Sequence, residues 1–174
     1  MKKIFIILLV FTLLITYNSN LLAVTFSGPV DYNTIIKKAD NIFLGFTRNS
    51  NSFKSDKNVI KTDWKVISYY DLKGDIDDLP INLRTIGGQY KNNITMGTQL
   101  KNSHLYLFFL KKKDNHFIPV KSSVSIEKIN SLSFKKGLNI KINNKKLYRS
   151  LDLFLENVSQ VSVEYEGVQK NDNK

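Results

Sequence analysis

Residues 104–110 read His104-Leu105-Tyr106-Leu107-Phe108-Phe109-Leu110, followed by Lys111-Lys112-Lys113-Asp114-Asn115 and then His116-Phe117-Ile118-Pro119-Val120. The first run is apolar on both faces and too short for a core helix, which predicts a strand buried on each side at the centre of a β core. The polar segment 111–115 predicts a hairpin loop, and 116–120 then returns antiparallel to the first run.

Outward from that hairpin the same period-2 logic recurs. In the segment 59–70, Ile60, Thr62, Trp64, Val66 and Tyr70 share one side while Lys61, Asp63 and Lys65 share the other, as in a long, half-exposed strand. Leu72-Lys73-Gly74-Asp75 reads as a turn. Leu79, Ile81 and Leu83 then alternate with Asn82 and Arg84, with Pro80 suited to the start or edge of a strand and Gly87-Gly88 closing it. Upstream, residues 42–47 read as a buried strand in which Gly45 marks a bulge or a close backbone approach, and the polar stretch 48–58 reads as a mobile loop. Downstream, Leu138, Ile140 and Ile142 form one strand pattern and Val161, Val163 and Tyr165 another.

Two helices flank the strands. Tyr32, Ile35, Ile36 and Ala39 make an apolar stripe within 31–40, and Leu151, Phe154, Leu155 and Val158 make a second after Ser150, whose hydroxyl suits an N-cap. At least six short antiparallel strands must hide their edges, and a closed or nearly closed barrel does so in about a hundred residues. An open β-sandwich is the competing architecture. Helices at both ends of the strand series, placed to plug a barrel mouth, favour the barrel. The expected fold is mainly β with short α, a small antiparallel barrel over 31–166 with a disordered tail at 167–174.

The N-terminal segment joins Lys2 and Lys3 to an apolar run from Ile4 to Ile15, a polar break at 17–20 and the small residue Ala23. This is the pattern of a secretory signal peptide over residues 1–23, and it places the working chain in the periplasm or outside the cell. A membrane association is expected only through an uncleaved leader or through surface charge. Removing residues 1–23 from the 174 leaves 151, enough for one domain. The absence of cysteine excludes disulfides, thiol catalysis and a lipoprotein anchor. The whole chain carries +11; without Lys2 and Lys3 it keeps +9, a balance that favours anionic surfaces, although lysine scattered through every loop is also what background composition produces.

The ordered set Ala39-Asp40-Asn41-Ile42, Gly45, the Trp64 strand, Leu72-Lys73-Gly74-Asp75, Gly87-Gly88, Gly97 and Leu105 to Leu110 resembles a group of secreted bacterial domains, some attached to matrixin-type metalloproteases. The group is similar in fold to the netrin-like, tissue-inhibitor-of-metalloprotease type, an oligonucleotide/oligosaccharide-binding barrel with flanking helices. The resemblance covers roughly residues 31 to 120, and its structural positions here are Gly45, Gly74, Gly87 and Gly88. It implies a secreted, protease-associated or inhibitor-like setting. Inhibition in the animal relatives uses an N-terminal cysteine, which this chain lacks, so that mechanism does not carry over.

No catalytic set is legible. His104 and His116 could face each other across the hairpin, yet a metal site wants a third ligand and no His-Glu-x-x-His spacing exists. Asp75, Asp77 and Asp78 lack the glycine and terminal glutamate of a calcium loop. No Gly-x-Ser-x-Gly elbow or phosphate-binding loop is present. Asn93-Ile94-Thr95 and Asn157-Val158-Ser159 match the glycosylation pattern and read as coincidence. Neither a cofactor nor a metal is expected.

The best hint of binding is aromatic residues beside basic ones. Tyr90, Lys91, Tyr106, Lys111, Lys112 and Lys113 are the candidates for a groove that stacks and attracts a sugar or a single strand, and export argues against nucleic acid. The expectation is a non-enzymatic binding module for an unknown protein partner or an anionic envelope component. The alternatives are a polyanion-binding protein and a hydrolase with dispersed catalytic residues.

Overall fold

The computed structural model describes residues 30–76, 79–133, 137–156 and 161–165. The leader at 1–23, Asp77, Asp78, Asn157, Val158, Ser159 and the tail at 167–174 lie outside the described residues. In chain order the elements are α1 (Tyr32–Lys38), β1 (Asn41–Lys54), β2 (Ile60–Lys73), β3 (Ile81–Ile86), β4 (Gly88–Tyr90), β5 (Asn93–Thr95), β6 (Leu105–Lys113), β7 (His116–Pro119), β8 (Ile126–Lys128), β9 (Ser131–Ser133), β10 (Leu138–Ile142), α2 (Lys145–Leu155) and β11 (Val161–Tyr165).

Five strands close into a ring. β1 pairs with β2, β2 with β3, β3 with β7, β7 with β6, and β6 returns to β1 through pairs such as Leu44↔Leu107. All these ladders are antiparallel except β3–β7, which is parallel and joined at Leu83↔Phe117. β8 adds to β6 beside Tyr106 to Phe108. The domain is therefore mainly β, a small barrel-like ring with two short helices, and closure pairs each of the five ring strands on both sides.

The interior is filled by Phe43, Trp64, Val66, Ile81, Leu83, Tyr106, Phe108, Leu110 and Ile126, with the Phe43 and Phe108 rings stacked at 5.0 Å. Ile42, Leu44, Leu107 and Phe109 are also wholly buried but stand outside that cluster. They belong to the alternate face of β1 and β6, and α1 packs against β6 and α2. That double burial is why residues 106–110 carry no polar alternation.

The last part of the chain departs from the wholly antiparallel pairing expected. β10, α2 and β11 form a β-α-β unit in which β10 and β11 run parallel, with Ile140 opposite Val163, and β9 pairs antiparallel with β10. A connecting helix carries the chain back to the starting edge, so the strand after it must run parallel.

Helix α2 begins at Lys145 rather than after Ser150. Asn144 is the cap, accepting from the Leu147 amide at 3.1 Å, and the stripe Leu147, Leu151, Leu155 is buried. The Asn144 amide also donates to the Tyr32 hydroxyl at 2.6 Å, joining the two helices.

Two expected loops are largely strand. β1 continues to Lys54, because the polar residues 49–54 pair one by one with the strongly alternating β2, and only 55–59 turn. β6 likewise runs through Lys113, paired with His116, which leaves Asp114-Asn115 as the turn. Leu72 and Lys73 complete β2, and Leu79 precedes β3 and is 54% exposed instead of packed. β4–β5 and β8–β9 have no counterpart among the expected strands.

Candidate functional site at the barrel mouth

β1 and β2 extend beyond the packed interior and present hydroxyls where the barrel ends. Ser50 lies opposite Trp64 and Ser52 opposite Thr62, so their side chains share the inward face. β3 leaves the ring through Gly87 and Gly88, whose φ values of +102° and +122° are the region that favours glycine. The Gly87 amide donates to the Ile60 carbonyl at 2.9 Å, and the Thr62 hydroxyl donates to the Gly87 carbonyl at 2.6 Å. A Cβ on Gly88 would stand 2.2 Å from Thr62 Oγ1, so the backbone approaches as closely as it does only because no side chain intervenes. These contacts hold the β4–β5 hairpin over the barrel end.

Between hairpin and barrel lies a cleft of about 660 Å³. Ser50, Asn51, Ser52 and Thr62 form one wall; Gln89, Tyr90 and Lys91 form the hairpin wall; Thr98, Gln99 and Leu100 form the third. Trp64, 8% exposed, reaches the floor, and its indole N–H is already bonded to Thr85 Oγ1 at 2.9 Å. Lys91 is the one charged residue on the lining among the described residues, and its ammonium lies 5.6 Å from the centre of the Tyr90 ring. Hydroxyls and primary amides both donate and accept, so this surface satisfies a ligand that does the same. Among the described residues no carboxylate or imidazole stands on the cleft wall to move a proton.

Of the six candidate binding residues, the cleft unites Tyr90 and Lys91. Tyr106 is buried in the core against Phe108, and its hydroxyl accepts from the Lys101 amide at 2.9 Å. Strand alternation divides the three lysines: Lys111 and Lys113 share one face of β6 and Lys112 takes the other, while the Lys112 backbone amide donates to the Asp40 carboxylate at 3.0 Å. Lys112 and Lys113 line separate clefts away from Tyr90.

His104 precedes β6 and His116 follows its far end, about 30 Å away at strand rise. The two histidines therefore do not meet. Among the described residues no three acidic or histidine side chains converge as metal ligands, and the Asp75 carbonyl accepts from the Asn41 amide at 3.2 Å. Gly45 lies at a register shift with the Ile67 carbonyl against it, and Gly74 turns the chain after β2 with φ +71°.

Gln89, Gln99, Ser50, Ser52 and Thr62 are the lining residues that sequence reasoning passed over. Gly87-Gly88 was the available signal, marking where the chain leaves the ring. No protein-family model matches this chain, and no curated protein matches it.

Proposed function

We propose that the chain is an exported binding module without chemistry of its own, and that its ligand enters the mouth cleft. The observation that supports this reading is the lining itself: hydroxyl and amide groups from three separate segments converge around two aromatic side chains, with a single charge among them. Such a surface suits an uncharged, hydroxyl-rich ligand such as a sugar unit, whose hydroxyls exchange hydrogen bonds with Gln89, Gln99 and the serines while its apolar face covers Tyr90. The protease-associated reading rests on the family resemblance, and no residue of the cleft favours it.

Trp64 is the chain's single tryptophan and stands at the cleft floor, so its emission reports occupancy. Titration with a panel of soluble neutral oligosaccharides is expected to give a saturable change that Gln89→Ala and Tyr90→Ala each weaken. Absence of any response across the panel, or turnover of a bound sugar, would overturn the proposal.

A further inference from the structure

The outer face of the ring carries a second cleft of different chemistry. β3 and β7 are joined at Leu83↔Phe117, a single parallel bridge, so a groove opens at this seam in place of a continuous ladder. Outward-facing residues of four strands line it: Lys61 of β2, Arg84 and Ile86 of β3, Lys113 of β6, and His116 and Ile118 of β7. Thr85, Thr98, Pro119 and Ser122 complete a volume of about 320 Å³.

Among the described residues every ionisable group on this lining is basic. Arg84 is already compensated, with Nε 2.7 Å and Nη2 2.8 Å from the two Asp63 oxygens and its guanidinium 5.1 Å from the centre of the Phe53 ring. Lys61 and Lys113 form no ion pair among the described residues and leave the cleft positive. Beside them Ile86 is 58% exposed and, with Ile118 and Pro119, supplies an apolar wall.

We infer that the seam cleft binds a single anionic headgroup carried on a short apolar body, with Lys61 and Lys113 on the anion and Ile86, Ile118 and Pro119 against the body. Charge-assisted hydrogen bonds from the two ammonium groups hold the headgroup, and Arg84, on the strand between β2 and β7, stays paired with Asp63. His116 stands at the same wall. Burial and the charges of Arg84 and Lys113 lower its pKa, while Asp63 and Asp114 pull it upward. A bound anion adds to the upward pull. The two clefts share Thr98, but Lys61, Lys113, Ile86, Ile118 and Pro119 line the seam and not the mouth, so the inference does not rest on the mouth-cleft reading.

The test uses the full chain with hexyl phosphate, inorganic phosphate and hexanol, followed by NMR of the His116 ring. Hexyl phosphate is expected to bind about tenfold or more tightly than inorganic phosphate, because two or more methylenes become buried. Lys61→Gln and Lys113→Gln are each expected to weaken it by about tenfold, and the His116 pKa rises on binding. Lys145→Gln, on α2, leaves the affinity unchanged. Equal binding of hexanol, equal binding of inorganic phosphate, unchanged affinity in both lysine variants, or binding to phosphatidylglycerol vesicles without binding to hexyl phosphate would each overturn the inference.

Discussion

The mouth and the seam are both fed by β2, and they differ because its residues alternate. Thr62 and Trp64 turn inward and contribute a hydroxyl and an indole to a nearly uncharged cleft; Lys61, one position away, turns outward to a basic one. A single strand thus presents two chemistries on opposite faces of one sheet. The overall charge of the chain, +11, describes neither surface: Lys61, Arg84 and Lys113 line the seam, and Lys91 is the charged residue described on the mouth lining. A basic isoelectric point is therefore a poor guide to what the larger cleft accepts.

The comparison breaks most completely if the ring is loosened, since both clefts depend on closure. Phe108 is fully buried and stacked on Phe43. Phe108→Ala is expected to cost about 3–5 kcal/mol in urea unfolding and to abolish both binding activities together.

Gly88→Ala separates the two sites. It places a Cβ against Thr62 Oγ1 at a φ of +122°, for an expected loss of about 1–3 kcal/mol. Oligosaccharide response at the mouth is expected to disappear while hexyl phosphate binding at the seam persists.

Asp63→Asn acts in the opposite sense. The Asp63 and Arg84 side chains are 40% and 33% exposed, so losing their pair is expected to cost only about 0.2–1 kcal/mol. Freed of its counter-charge, Arg84 is expected to tighten anion binding at the seam and to leave the mouth unchanged.

Glu127 on β8 lines neither cleft and serves as the control. Burial raises its carboxyl above the ordinary 4.5, against a smaller opposing effect of the Asn144 hydrogen bond. A raised folded-state pKa means that stability is fully present below the unfolded value and is lost as pH rises through the folded one. Glu127→Gln is accordingly expected to show a small gain in stability at neutral pH that vanishes in acid, without altering either cleft. Denaturation at several pH values measures it.

Much of the ring was legible from patterning. The doubly apolar run at 105–110, the alternation of Ile60, Thr62, Trp64 and Val66, and the stripe of α1 all correspond to observed elements, because in each case local sequence and burial point the same way. The failures have a common origin in tertiary partners. Residues 49–54 are strand because β2 pairs with them, Lys111 to Lys113 are strand because β7 does, and Asn144 caps α2 in place of Ser150 with Tyr32 as its second partner.

The site was legible only in Tyr90 and Lys91. Its hydroxyl and amide lining comes from segments up to fifty residues apart, and a lone serine or glutamine in a strand carries no periodic signature. The Lys111 to Lys113 run was conspicuous in sequence, yet strand alternation distributes it over two faces.

The most direct test is titration of the full chain with a neutral oligosaccharide at low and at high salt, with Trp64 emission as the readout and hexyl phosphate as competitor. The account predicts a saturable response that is the same at both salt concentrations and indifferent to hexyl phosphate. A response that collapses in high salt, or one that hexyl phosphate displaces, would contradict it.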